Sequence, residues 1–124
     1  VPSLFACSRC GKLREQASSF QHEPGAKLDA EKIRADLLIL GFAKALEEVG
    51  KVSTFGAKKY TENGWQAVEN GTSRYTAAML RHVLKEGQGE EIDPESGLLH
   101  AAHTAWNALA RLDFIMRDVG KPDF

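Results

Sequence analysis

IDPESGLLHAAHTAWN, residues 92–107, packs a turn, a helix start and a set of polar side chains into sixteen positions. Asp93 suits a cap, Pro94 a first helical position, and Glu95 the N-terminal turn, where an acid meets the positive end of the helix dipole. Past Gly97 the spacing turns helical. His100, His103 and Asn107 stand at i, i+3 and i+7 and share one face, while Leu99, Ala102, Trp106 and Leu109 make a neighbouring apolar stripe that fits a core. One helix therefore carries a packing face beside a polar face, and it runs to about Asp118, where Gly120 and Pro122 stop it.

Working back from this helix, Ser73 suits an N-cap for a helix over residues 74–86, with Tyr75, Met79 and Val83 inward and Gly87 and Gly89 ending it. The short connection between the two helices favours antiparallel packing, which would carry His82 towards His100 and His103. A lone helical histidine is more often a packing or surface residue than a ligand. Three of them with Asp93 make a set able to hold a divalent ion. Glu90, Glu91, Asp93 and Glu95 crowd the connection, either as ligands for a hard cation or as acids that solubilise a loop.

Further back, Asp29 precedes Ile33, Leu37, Leu40, Ala43, Leu46, Val49 and Val52, a helical spacing that reaches to Tyr60. Gly41 is the expected break, because glycine costs about 1 kcal/mol relative to alanine inside a helix. Glu47, Glu48 and Lys51 fall on the polar side, which ordinarily means a solvated face. Next comes STFGAKKYTENGW, residues 53–65, with two lysines, a tyrosine, an Asn-Gly turn signal and a tryptophan. Lys58 and Lys59 could hold phosphate oxygens, and Tyr60 or Trp65 could stack on a base. The alternative is a helix end whose lysines answer the dipole and whose aromatics enter the core. The GxxxxGK[ST] spacing of a P-loop is absent. Residues 66–72 read as a loop.

No strand-like alternation, internal repeat or sustained heptad appears, so the expected class is all-α: a small bundle of about four helices over residues 28–120, an irregular arm over 1–27 and a short tail over 121–124. The arm contains Cys7-Ser8-Arg9-Cys10-Gly11. This is either half of a zinc knuckle, with His22 as a third ligand, or a reduced thiol pair. With 124 residues, 43% of them hydrophobic, the chain suits one domain that gains from association, so a homo-oligomer is expected. A net charge of -1 and a pI near 6.5 give no global attraction to a nucleic-acid polymer or a membrane, so any phosphate recognition has to be local. No apolar run approaches a membrane span, and the N-terminus lacks the order of a signal peptide, which points to the cytoplasm.

Three stretches, TFGAKKYTENGW (54–65), RYTAAMLRH (74–82) and DPESGLLHAAHTAWNAL (93–109), together resemble the phage and prophage N-terminal domain of dATP/dGTP diphosphohydrolases. The resemblance covers roughly residues 27–117 and leaves the cysteine arm outside. It implies a phage-type protein working in the host cytoplasm on a small nucleotide. More distantly it implies the MazG-like all-α pyrophosphatases, oligomeric bundles that cleave a nucleoside triphosphate to monophosphate and pyrophosphate with magnesium held by an ExxE and an ExxD. This chain has no ExxE, and its one ExxD, Glu90 to Asp93, falls in the connection. His100 and His103 stand where such an enzyme carries its acids.

Two functions follow from these readings. In the first, a metal-dependent phosphohydrolase, His82, Asp93, His100 and His103 hold manganese or magnesium, and Glu48 or Glu95 is the general base. Lys58, Lys59 and Arg81 neutralise phosphate charge, and Tyr60, Trp65 and Asn107 contact the nucleotide. In the second, the same residues bind and sequester a nucleotide without cleaving it; beside both stands a structural reading, in which the histidines are buried and mutually bonded and the oligomer is the whole point.

Overall fold

Four α-helices form among residues 22–119, the part of the chain that this computed structural model describes. They are α1 (Ala35–Gly41), α2 (Ala43–Lys59), α3 (Gly71–Gly87) and α4 (His100–Asp118), with a 3-10 helix at Gly64–Ala67. No strand occurs among the described residues, only one isolated antiparallel bridge between Ile92 and Leu99, so the chain is all-α as expected. Cys7 and Cys10, and with them the expected zinc knuckle, lie outside the described residues. His22 is exposed at their edge.

The chain divides into two compact units, residues 1–37 and 38–124, with the boundary inside α1. In the described part of the first unit the backbone turns before it becomes helical. The Asp29 carbonyl accepts the Lys32 amide at 3.0 Å, and Arg34 grips the Asp36 carboxylate through two bonds of 3.0 and 2.8 Å. The helix therefore starts at Ala35, six residues after the Asp29 cap that the spacing suggested. Asp36 then supplies the acid in its first turn.

In the second unit α1 ends at Gly41 and the chain bends at Phe42, whose φ of -111° and ψ of 27° are not helical. α4 packs chiefly on α3 and also on α2. The directions follow from the pairs that touch. His82 meets His100, the Thr76 hydroxyl accepts a bond from Arg111, and Gly71 lies under Phe114, so α3 and α4 are antiparallel. Ser53 pairs with Trp106 and Phe55 with His103, so α2 and α4 are antiparallel too. α2 and α3 must then run the same way, and residues 60–70 return along the bundle between them.

That return explains several differences from the expected elements. Its polar middle is not a plain loop, because Asn63 and Asn70 adopt left-handed φ of 55° and 56°, which asparagine tolerates better than most residues. Between them Trp65 packs edge-on to Trp106 and Phe114, at 5.8 and 6.1 Å, while Tyr75 stacks on Phe114 at 5.8 Å. Each such aromatic pair adds about 0.5–1.5 kcal/mol beyond its buried area. α3 starts at Gly71, so Ser73 is inside the helix rather than its cap. A side chain at 71 would meet the Phe114 ring within 2.5 Å, so glycine lets the two helices close.

The buried positions are unusual in kind. The buried apolar residues are Val52, Ala102 and Ala110, whereas His100, His103 and Asn107 on α4 are buried and polar. On the opposite arc of α4, Ala101, Ala108, Leu109, Leu112 and Met116 are exposed. No helix among the described residues is long and apolar enough to cross a membrane.

Candidate functional site

The connection between α3 and α4 is a self-bonded loop rather than a slack one. Gly89 and Gly97 take φ of 93° and 73°, a conformation that glycine adopts without strain. The Asp93 amide donates to the Leu98 carbonyl at 2.8 Å, and the His100 amide to the Glu91 carbonyl at 2.9 Å. Asp93 uses its side chain as well: Oδ2 accepts the Ser96 amide at 3.1 Å and the Ser96 hydroxyl at 2.7 Å. This local turn competes with helix, which is why α4 begins at His100, well past Gly97.

The loop and two helices hold three imidazoles against one another. His82 and His103 stack face to face, with centroids 4.4 Å apart and planes 8° from parallel. His82 Nδ1 lies 2.8 Å from His100 Nδ1, and His100 Nε2 lies 2.8 Å from Glu90 Oε2. His103 Nε2 lies 2.7 Å from Ser96 Oγ and 3.4 Å from Asp93 Oδ2, and the Phe55 ring meets His103 edge-on. His100 and His103 are 2% and 7% exposed, so water has little access to their rings and these contacts meet the polar atoms instead.

Burial pushes both His82 and His103 below the ordinary histidine range, and the neighbouring imidazoles push the same way. Asp93 raises both, but not enough to reverse the trend. For Asp93 itself burial acts upward. The two Ser96 bonds, with His103 nearby, outweigh it and hold the carboxyl below its usual range.

The expected metal shell does not fit this arrangement. Among the described residues no group of three or more histidine, cysteine or carboxylate side chains is placed to hold a metal ion. The reason is geometric. Imidazole lone pairs lie in the ring plane, and two parallel stacked rings aim them along separate planes, whereas zinc, for example, needs nitrogens converging at about 2.0–2.1 Å. Both nitrogens of His100 are already taken by His82 and Glu90.

The other expected residues divide into those near the cluster and those away from it. Lys59 at the end of α2 pairs with Glu95 in the loop, and its amino group sits 5.1 Å from the Tyr60 ring centre. The Glu95 bond, and then Tyr60, raise the Lys59 pKa. Tyr60, Lys58 and Arg81 are exposed, Arg81 next to His82 in sequence. Trp65 belongs to the aromatic cluster, so it is not free to stack on a base there. Asn107 turns back on its own helix, donating from Nδ2 to the His103 carbonyl at 2.7 Å. Glu48 bonds Lys51 at 2.7 Å, two helical turns before Phe55, and so stands apart from the imidazoles. Ser96 and Phe55 join the cluster although nothing singled them out as site residues, and Glu90 joins it as the partner of His100 rather than as one of the cation ligands that the crowded acids suggested. Only Ser96 carried a local signal, three residues after Asp93 in the spacing of a side-chain-capped turn.

Comparison with known proteins agrees with the motifs. Residues 22–123 match the family described as dATP/dGTP diphosphohydrolase, N-terminal. A protein of Salmonella phage PMBT28 named dATP/dGTP diphosphohydrolase is 37% identical over 81 residues, which are 65% of this chain and 26% of that protein. The chain thus spans about a quarter of the curated relative it matches. No solved structure matches.

Proposed function

This chain belongs to the dATP/dGTP diphosphohydrolase N-terminal family, and from that premise we propose that its histidine-lined pole handles the triphosphate of a purine deoxynucleotide and promotes its hydrolysis to monophosphate and diphosphate. The observation that carries this reading is the unbroken line from the Glu90 carboxylate through His100 to His82. A carboxylate-backed imidazole can accept a proton from water as that water attacks phosphorus, and such assistance is worth about 10²–10⁴-fold in rate. Exposed Lys58 and Arg81, with Lys59, supply positive charge at the same end of the bundle, and Tyr60 offers a ring for the base. Glu95 and Glu48, each engaged by a lysine, suit the role of base less well. The manganese or magnesium of the resemblance finds no shell in the imidazole cluster, and no step is assigned to it.

Incubating the protein with each deoxynucleoside triphosphate, with magnesium or manganese present, and resolving the products tests the reading. Deoxynucleoside monophosphate and inorganic pyrophosphate should accumulate from dATP or dGTP, and His82→Ala should lower the rate by about 100-fold or more. Intact triphosphate after prolonged incubation would refute hydrolysis.

A second reading, sequestration without cleavage, uses the same exposed cationic and aromatic side chains, Lys58, Arg81 and Tyr60. Release of intact nucleotide from a tight complex on denaturation would support it. Association of copies is also part of the proposal, because the exposed apolar arc of α4 is what a helix presents to a partner.

A further inference from the structure

We infer that the histidine cluster is a one-way hydrogen-bonded line in which Glu90 and His100 fix the tautomer of His82, leaving His82 Nε2 as the bare nitrogen that accepts a proton from the attacking water. This rests on the hydrolase reading for its chemistry but not for its geometry.

The assignment follows from the inventory of donors. A carboxylate only accepts, so the 2.8 Å contact with Glu90 places the proton of neutral His100 on Nε2. His100 Nδ1 then carries a lone pair. The 2.8 Å contact between the two Nδ1 atoms needs one proton, and only His82 is left to supply it. His82 is therefore protonated on Nδ1 and bare on Nε2. The same reasoning at the other end makes Asp93 Oδ2 the acceptor of the Ser96 hydroxyl proton and leaves Ser96 Oγ to accept from His103 Nε2. Two short chains thus converge on the stacked pair, each anchored by a carboxylate, and the one ending at His82 reaches partly exposed surface.

In the step itself, water gives a proton to His82 Nε2 while its oxygen bonds to the α-phosphorus. The bond from that phosphorus to the bridging oxygen breaks, and the diphosphate leaves with the electron pair. His82 becomes an imidazolium that still donates from Nδ1 to His100, with Glu90 behind it. Burial, the stacked His103, His100 and the neighbouring Arg81 disfavour that charge and Asp93 favours it, so the acceptor returns its proton to solvent readily. Glu90 and His100 are positioning residues: they act through His82.

The test is nitrogen-15 histidine NMR on the full chain without nucleotide, at about pH 8, above the ordinary histidine range. His82 should show a protonated Nδ1 and a bare Nε2, and His100 the reverse. A protonated Nε2 on His82 would overturn the proposal whatever the activity. In Glu90→Ala the carboxylate is lost from a half-exposed loop position. There both imidazoles should become mixtures of tautomers, and turnover should fall at least about tenfold. Unchanged tautomers in Glu90→Ala would equally overturn it. If the native protein shows the assigned tautomers yet turns over no nucleotide, the hydrolase reading fails and the line stands.

Discussion

Acid should begin to destabilise this bundle before its carboxylates titrate. His82 and His103 are held below the usual histidine value of 6.5 in the folded state, so below that pH the unfolded chain binds protons that the folded chain resists. Stability is thus fully present above about pH 6.5 and falls as pH drops from there towards the folded values, where the loss levels off. Each histidine can contribute a slope of at most about 1.4 kcal/mol per pH unit, against a total of about 5–15 kcal/mol for an ordinary domain. Asp93, also lowered, adds a second loss in the same direction below its usual 3.8. Urea unfolding followed by circular dichroism, stepped from about pH 8 to about pH 5, measures the slope directly. His103→Gln should roughly halve it. A urea midpoint that stays constant between about pH 7 and pH 5 would refute the placement of neutral, buried imidazoles.

Three further perturbations test the packing. Ser96→Ala removes the hydroxyl shared by Asp93 and His103 and should cost about 1–2 kcal/mol in urea unfolding, with the Asp93 pKa rising in a carboxyl NMR titration. Trp106→Phe keeps an aromatic ring but loses the 2.9 Å bond from Nε1 to Ser53 that ties α4 to α2, at about 1 kcal/mol; an unchanged midpoint would show that the bond contributes nothing. Leu112→Glu places a charge on the exposed apolar arc of α4 and should shift the mass found by light scattering from an oligomer to one chain, leaving helix content unchanged. A native protein already monomeric at high concentration would contradict association.

What could be read in advance depended on periodicity. The 3.6-residue spacing of α2, α3 and α4 and the three-residue separation of His100 and His103 placed those side chains on one face. A short antiparallel connection then brought His82 to them. Glu90 was invisible as a partner because its position depends on a loop whose shape is set by Asp93, Ser96 and two left-handed glycines rather than by any repeat. The two readings of Trp65 stayed inseparable for a related reason. Nothing in STFGAKKYTENGW says that the chain after Tyr60 runs back along α4, yet that path puts the indole on Trp106 and Phe114 instead of beside Lys59. The metal expectation turns on orientation: ring spacing follows from sequence, but the 8° stacking of His82 on His103, which aims their nitrogens along separate planes, comes from packing.

The contact between Gly71 and Phe114 ties two positions that lie on different helices and far apart in the chain. Neither can drift alone. Alanine at 71 would drive a methyl group into the ring, costing about 1–3 kcal/mol, and only a smaller residue at 114 would make room for it. Among diverging members of the family these two sites should therefore change as a pair, the loss of glycine at one accompanied by the loss of the ring at the other.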